Sequence, residues 1–91
     1  MEVKWTRKAL SDLARLYDFL AGINRQAASG VVQSLVAAPE KLIEYPRVGE
    51  RLEEFNPRDV RRIIVNHYEL RYEVQASTLY ILRLWHTKED R

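Results

Sequence analysis

The chain has no cysteine among its 91 residues, which excludes disulfides and thiolate metal sites. It has two histidines, His67 and His86, too few for a zinc site without a well-placed carboxylate. Its three glycines are scattered, and none belongs to a phosphate-cradling loop. No spacing of Ser, His and Asp supports nucleophilic catalysis. No apolar run is long enough to cross a bilayer. The opening MEVKWTRKALSDL lacks the apolar core of a signal peptide. The expectation is a cytoplasmic protein without a metal or other cofactor.

What is present fits one small globule spanning residues 1–91. The hydrophobic fraction of 46% is ordinary for a folded domain. A chain this short buries only part of its surface, so its core must be well packed or completed by a partner. Fifteen basic and 13 acidic side chains give a net charge of +2, with the surplus in residues 58–91. That permits an anionic partner without requiring one.

EVKW at residues 2–5 alternates as a short edge or starter strand does. Thr6 is placed to cap a helix whose apolar stripe is Ala9, Leu10, Leu13, Leu16, Tyr17 and Leu20. Gly22 ends it. Asn24 caps a second helix carrying Ala27, Val31, Leu35, Ala38 and Leu42. Pro39 lies inside that pattern and predicts a kink, or a break and restart. The short link makes an antiparallel helix hairpin. Residues 44–59, with two prolines, a glycine and many charges, read as an ordered connecting loop. Three strands follow, at 60–66, 68–74 and 78–86, with links short enough for hairpins. The expected fold is α+β: a short N-terminal strand, a helix hairpin and a three-stranded antiparallel meander, with the helices on one face of the sheet.

The alternation of the middle strand turns Tyr68, Leu70, Tyr72 and Val74 inward and Arg71 outward. In the last strand it assigns Tyr80, Leu82 and Leu84 to the core, and Leu79, Ile81, Arg83 and Trp85 to the outside. Arg61 or Arg62 of the first meander strand joins that outer face. Arginines on rigid strands can grip phosphates or carboxylates bidentately, and Trp85 can stack on a base or fill a partner's pocket. The alternative is a solvated face, with Arg71 and Arg83 paired to Glu69 and Glu73. His86 ends the last strand. Its side chain suits acid–base work near neutrality, yet the pattern supplies no nucleophile or orienting group beside it. It reads equally as a strand end.

The order of elements, together with ALSDLARLYDFL, YPRVGERL, VRRIIVNHYELRYEV and LYILRLWHTKEDR, resembles the RelE/ParE superfamily of bacterial toxins. Arg61, Tyr68 and Tyr72 fit the spacing of that family's central hairpin. In the ParE branch the closing strand ends in His followed by two residues and Asp. Here His86 leads through Thr87 and Lys88 to Glu89 and Asp90.

The resemblance implies a type II toxin neutralised by a cognate antitoxin, which wraps a helix and an extended segment around it. RelE-type members cut messenger RNA on the ribosome without a metal. ParE-type members inhibit DNA gyrase. Three departures disfavour the nuclease. Glu69 stands where RelE proteins carry an arginine, Lys88 is the one cation close behind His86 before two acids, and the chain stops at Arg91 with no terminal tyrosine. The resemblance therefore implies a ParE-like gyrase inhibitor that needs no catalysis of its own. Its contact surface is expected at Arg61, Arg62, Arg71, Arg83, Trp85, His86 and Lys88. An mRNA nuclease would use His86, Lys88 and Arg62. A degenerate member would keep antitoxin binding alone.

Overall fold

A computed structural model describes residues 1–88. Strand β1 (Glu2–Trp5) leads into helix α1 (Arg7–Ala21) and then α2 (Arg25–Leu42). A two-residue strand β2 (Glu50–Arg51) and a 3₁₀ turn (Glu53–Phe55) precede β3 (Val60–Val65), β4 (Tyr68–Gln75) and β5 (Thr78–His86). Among the described residues the sheet has five strands in the order β1-β5-β4-β3-β2. The expected meander is its antiparallel centre. β1 adds a parallel edge on β5, and β2 pairs antiparallel with Arg61 and Arg62 of β3. The expected N-terminal strand and three-stranded meander thus become four strands of a five-stranded mixed sheet, the fifth, β2, being a correction to the expected loop. The missed strand lies in the predicted loop and is too short to show alternation.

Local chemistry sets the helix starts. Thr6 Oγ1 accepts the Ala9 N–H at 3.2 Å, and Asn24 Oδ1 accepts the Ala27 N–H at 3.1 Å. Gly22 follows the last residue of α1, but with an ordinary right-handed φ of −66°. The turn is closed instead by the Ile23 and Asn24 N–H groups, both donating to Leu20 O. α2 runs through Pro39 to Leu42 without a break. The proline sits near the C-terminal end and forfeits one intrahelical hydrogen bond, while its ring is fully buried. Burial offsets that loss, which corrects the expected break and restart.

Ala9, Ala38 and Leu42 of the helices pack on Leu70, Tyr72, Val74, Leu79 and Ile81. Leu16 and Leu35 pack on Tyr68 and Leu84. Leu10, expected in the stripe of α1, is exposed. In β5 the strict alternation fails. Arg83 stands opposite Arg71, yet Ile81 stands opposite Tyr72, so Leu82 is an extra residue, a β-bulge. The bulge inverts the phase. Leu79 and Ile81 are core rather than outward, and Tyr80 and Leu82 are only half-buried.

The connection between α2 and β3 is tied down by two side chains. Tyr72 Oη donates to Pro46 O at 2.7 Å and accepts the Gly49 N–H at 3.0 Å. Arg61 Nη1 donates to Arg47 O and Gly49 O at 2.9 and 3.0 Å.

Candidate partner-binding surfaces

Residues directly opposite one another in a sheet share a face. Arg62 of β3 stands opposite Arg71 of β4, and Arg71 opposite Arg83 of β5. The three arginines form one row across the sheet, as expected for Arg62, Arg71 and Arg83, with Arg62 and Arg71 on the face away from the helices and the Arg83 guanidinium reaching past the β5 edge to α1. Arg61 stands opposite Tyr72 and does not join them. Its Nε donates to Asp59 at 2.8 Å, and its role is to hold the 46–49 loop.

Like charges side by side repel, and each arginine of the row is answered by acid. Arg62 pairs with Glu50 at 2.8 Å and Glu69 at 3.3 Å. Arg71 pairs with Glu69 at 3.1 Å. Arg83 pairs with Asp12 of α1 at 2.8 Å. Beside the row, Arg58 grips Glu73 through two hydrogen bonds of 2.8 and 3.2 Å. The expected Arg71–Glu69 pair is therefore present. Glu73 is taken by Arg58 and Arg83 by Asp12, so the Arg83–Glu73 alternative does not form.

Aromatic rings complete this surface. The Arg71 guanidinium lies 4.6 Å from the Trp85 ring centroid and 5.5 Å from that of Phe55. Arg83 lies 5.1 Å from the Trp85 centroid. Trp85 is on the predicted face but only 7% exposed. Roofed by two arginines, it is packed rather than presented, which corrects its reading as a side chain that projects into a partner.

His86 stands opposite Tyr68 and so belongs to the helix side of the sheet. Its ring meets Tyr68 edge-on at 5.2 Å and stacks with His67 at 6.2 Å. Its Nδ1 accepts the Lys88 N–H at 3.1 Å. With Arg15, Leu16, Phe19, Leu20, Tyr68 and Lys88 it lines a groove of about 570 Å³ alongside α1. Burial raises the Tyr68 phenol above its ordinary 10.0. The floor is apolar, Phe19 is 68% exposed at its rim, and Arg15 and Lys88 supply positive charge. His86, Lys88 and Arg62, the set an RNA-cleaving site would need, are not gathered: Arg62 lies on the opposite face. Glu89, Asp90 and Arg91, which entered the comparison with the nuclease branch, lie outside the described residues.

A second groove of about 590 Å³ follows the free edge of β3. β2 covers only Arg61 and Arg62, so among the described residues the edge is open from Ile63 onward. Tyr45, Val48 and Ile64 are exposed around it. An open strand edge flanked by apolar side chains is the geometry that receives an added strand.

Sequence reasoning missed Asp12, Phe55, Arg15 and Phe19. Asp12 carried a signal: it falls three residues after Ala9 and four before Leu16, within the stripe that faces the sheet. Phe55 carried none, because its approach to Arg71 depends on the turn of the 53–59 segment. Among the described residues no three His, Cys, Asp or Glu side chains converge to hold a metal ion.

The family described as the ParE toxin of the type II toxin–antitoxin system parDE matches residues 3–91. The chain belongs to the ParE toxin family. The toxin is 33% identical over 85 residues to Toxin RelE2 of Caulobacter vibrioides, covering 93% of each chain. Its fold is similar to a solved structure of a chromosomal ParDE toxin–antitoxin system from P. aeruginosa. That match has a TM-score of 0.76 and 28% identity, over 94% of this chain and 95% of the other. The protein is thus a RelE/ParE superfamily toxin of a type II system, and membership implies a cognate antitoxin. No helix among the described residues is long and apolar enough to cross a membrane.

Proposed function

We propose that the toxin, acting as one domain in the cytoplasm, inhibits DNA gyrase and is held inactive by its antitoxin. The observation that carries this reading is the split of the basic residues. Cleavage of RNA needs an acid–base group and charge-stabilising cations around one phosphate. Here His86 and Lys88 lie in the α1 groove, while Arg62 and Arg71 sit on the other face against carboxylates and Arg83 is held at the sheet edge by Asp12 of α1. Gyrase inhibition requires a binding surface and no catalytic step by this chain. The groove alongside α1 suits an amphipathic helical segment of the antitoxin, and the β3 edge suits an extended one. Arg62, Arg71 and Arg83 remain as an outer contact face, with Trp85 as its support and Arg61 behind it.

The test is expression in a sensitive bacterium, with and without the adjacent small reading frame. Gyrase-linked DNA breaks and an SOS response support the proposal. Prompt arrest of translation with cleaved transcripts replaces it with the nuclease reading, and a lack of any growth defect replaces it with an antitoxin-binding member that has lost toxicity. His86→Ala separates the first two. A general acid loses roughly 100-fold or more in rate, whereas a gyrase inhibitor keeps its activity.

A further inference from the structure

Glu69 is the most unusual residue of the outer face. Its side chain is 1% exposed, on the side of the sheet away from the packed faces of α1 and α2. Its two oxygens are shared between strands: Oε1 accepts from Arg62 Nη1 at 3.3 Å, and Oε2 accepts from Arg71 Nη2 at 3.1 Å. A buried carboxylate is costly and persists only where charges and donors converge on it. Arg62 and Arg71 are neighbours in register, and without an anion between them they would repel. The Nε–H of Arg71 is buried and has no hydrogen-bond partner. A planar carboxylate offers two oxygens. A tetrahedral oxyanion offers more, and guanidinium pairs bind phosphate through several parallel donors.

We propose that Glu69 is an internal anion occupying an oxyanion position formed by Arg62 and Arg71, and that it decides what the outer face rejects: phosphate groups, free or within a nucleic acid. With Glu69 in place, a phosphate arriving at Arg62 or Arg71 meets a fixed negative charge and donors already engaged. Without Glu69 the same two strands present Arg71 with no carboxylate beside it and Arg62 held by Glu50 alone, next to the rings of Phe55 and Trp85. This specificity role goes beyond gyrase inhibition and does not depend on which macromolecule the toxin attacks.

Inorganic pyrophosphate and a short single-stranded RNA are titrated by calorimetry into the wild-type toxin, Glu69→Ala, and Glu69→Ala combined with Arg62→Gln. Glu69→Ala is expected to bind pyrophosphate at least about tenfold more tightly than wild type, with an affinity that falls as salt rises. Adding Arg62→Gln should remove the gain. A parallel gain for the RNA extends the site to phosphodiesters, and a gain for pyrophosphate alone limits it to free phosphates. If Glu69→Ala is unfolded in dilute buffer, pyrophosphate should restore its folded circular-dichroism spectrum by replacing the lost anion. A folded variant with wild-type affinity, or an unfolded one that pyrophosphate does not rescue, overturns the proposal.

Discussion

Asp12 of α1 and Arg83 of β5 are joined by two hydrogen bonds, Nε to Oδ2 at 2.8 Å and Nη2 to Oδ1 at 3.2 Å, across 71 residues of chain. The same Oδ2 accepts the Leu84 N–H at 3.0 Å. This position is where the sheet would otherwise end badly. β1 pairs with β5 only as far as Ile81, and Thr6 then leaves the sheet with its hydroxyl donating to Ile81 O at 2.8 Å and Leu82 O at 3.1 Å. Beyond that point Asp12 stands in for the missing strand. It satisfies a backbone N–H that burial would leave unpaired, and it fixes α1 on the sheet beside the groove.

Replacing Asp12 with Ala should therefore destabilise the toxin by about 2–3 kcal/mol. The low end applies because the Arg83 side chain is 36% exposed and the pair is partly screened. Urea unfolding gives the value. A loss under about 0.5 kcal/mol would show that the pair is a surface ornament.

Asp12 also predicts an acid limb. Burial pushes its carboxyl up. The Arg83 hydrogen bonds, the Leu84 N–H and the charges of Arg83 and Arg15 outweigh burial and leave it below the ordinary 3.8. A depressed acid binds protons more readily in the unfolded chain. Its contribution is complete above about pH 4 and is lost as pH falls further, through the folded-state value. Asp12→Asn should flatten the stability curve in that window and leave its slope near neutrality unchanged.

Two glycines should respond oppositely to alanine. A Cβ on Gly49 would lie 2.6 Å from Tyr72 Oη and 2.7 Å from Arg62 O, so Gly49→Ala should cost about 2 kcal/mol or more as the 46–49 loop is forced off the sheet. A Cβ on Gly30, inside α2, meets nothing within 4 Å, and Gly30→Ala should add up to about 1 kcal/mol through helix propensity. Paired thermal melts read both signs in one experiment.

Ala76 holds the β4–β5 turn at a φ of 52°, a left-handed conformation that an L side chain resists. Ala76→Gly should raise stability by roughly 0.5–1 kcal/mol once the larger entropy of the unfolded glycine is offset. An unchanged or lower melting temperature would contradict this.

The groove alongside α1 yields a binding prediction. Phe19 is largely exposed, so Phe19→Asp should change stability by no more than about 0.5 kcal/mol. Antitoxin affinity should fall by roughly 10- to 100-fold, because an apolar anchor is lost and a carboxylate is placed against the apolar face of the docked helix. Titration of the two purified proteins reads the affinity, and circular dichroism confirms the fold.

The features that sequence alone determined are those whose causes lie within a few residues. Thr6 and Asn24 start helices because a side-chain oxygen reaches an N–H three residues on. Asn66-His67 and Gln75-Ala76-Ser77 read as hairpin links because the chain between the strands is too short for anything else, although Gln75 proves to be the last residue of β4. Tyr68, Leu70, Tyr72 and Val74 face the core because a strand alternates. Tertiary structure decided the rest, where the cause is a partner distant in sequence. The bulge at Leu82 exists only in the register of β5 against β4, and it turned Leu79 and Ile81 inward against the local pattern. Arg61 and Arg62 are adjacent and chemically alike. Their pairing with Tyr72 and Arg71 sends one behind the sheet and leaves the other on its outer face. The position of Asp12 in its helix stripe points it at the sheet, but only the edge of β5 beyond Ile81 supplies the three donors that its carboxylate binds. Periodicity reports which side of an element is buried, but it carries no information about which distant charge is waiting there.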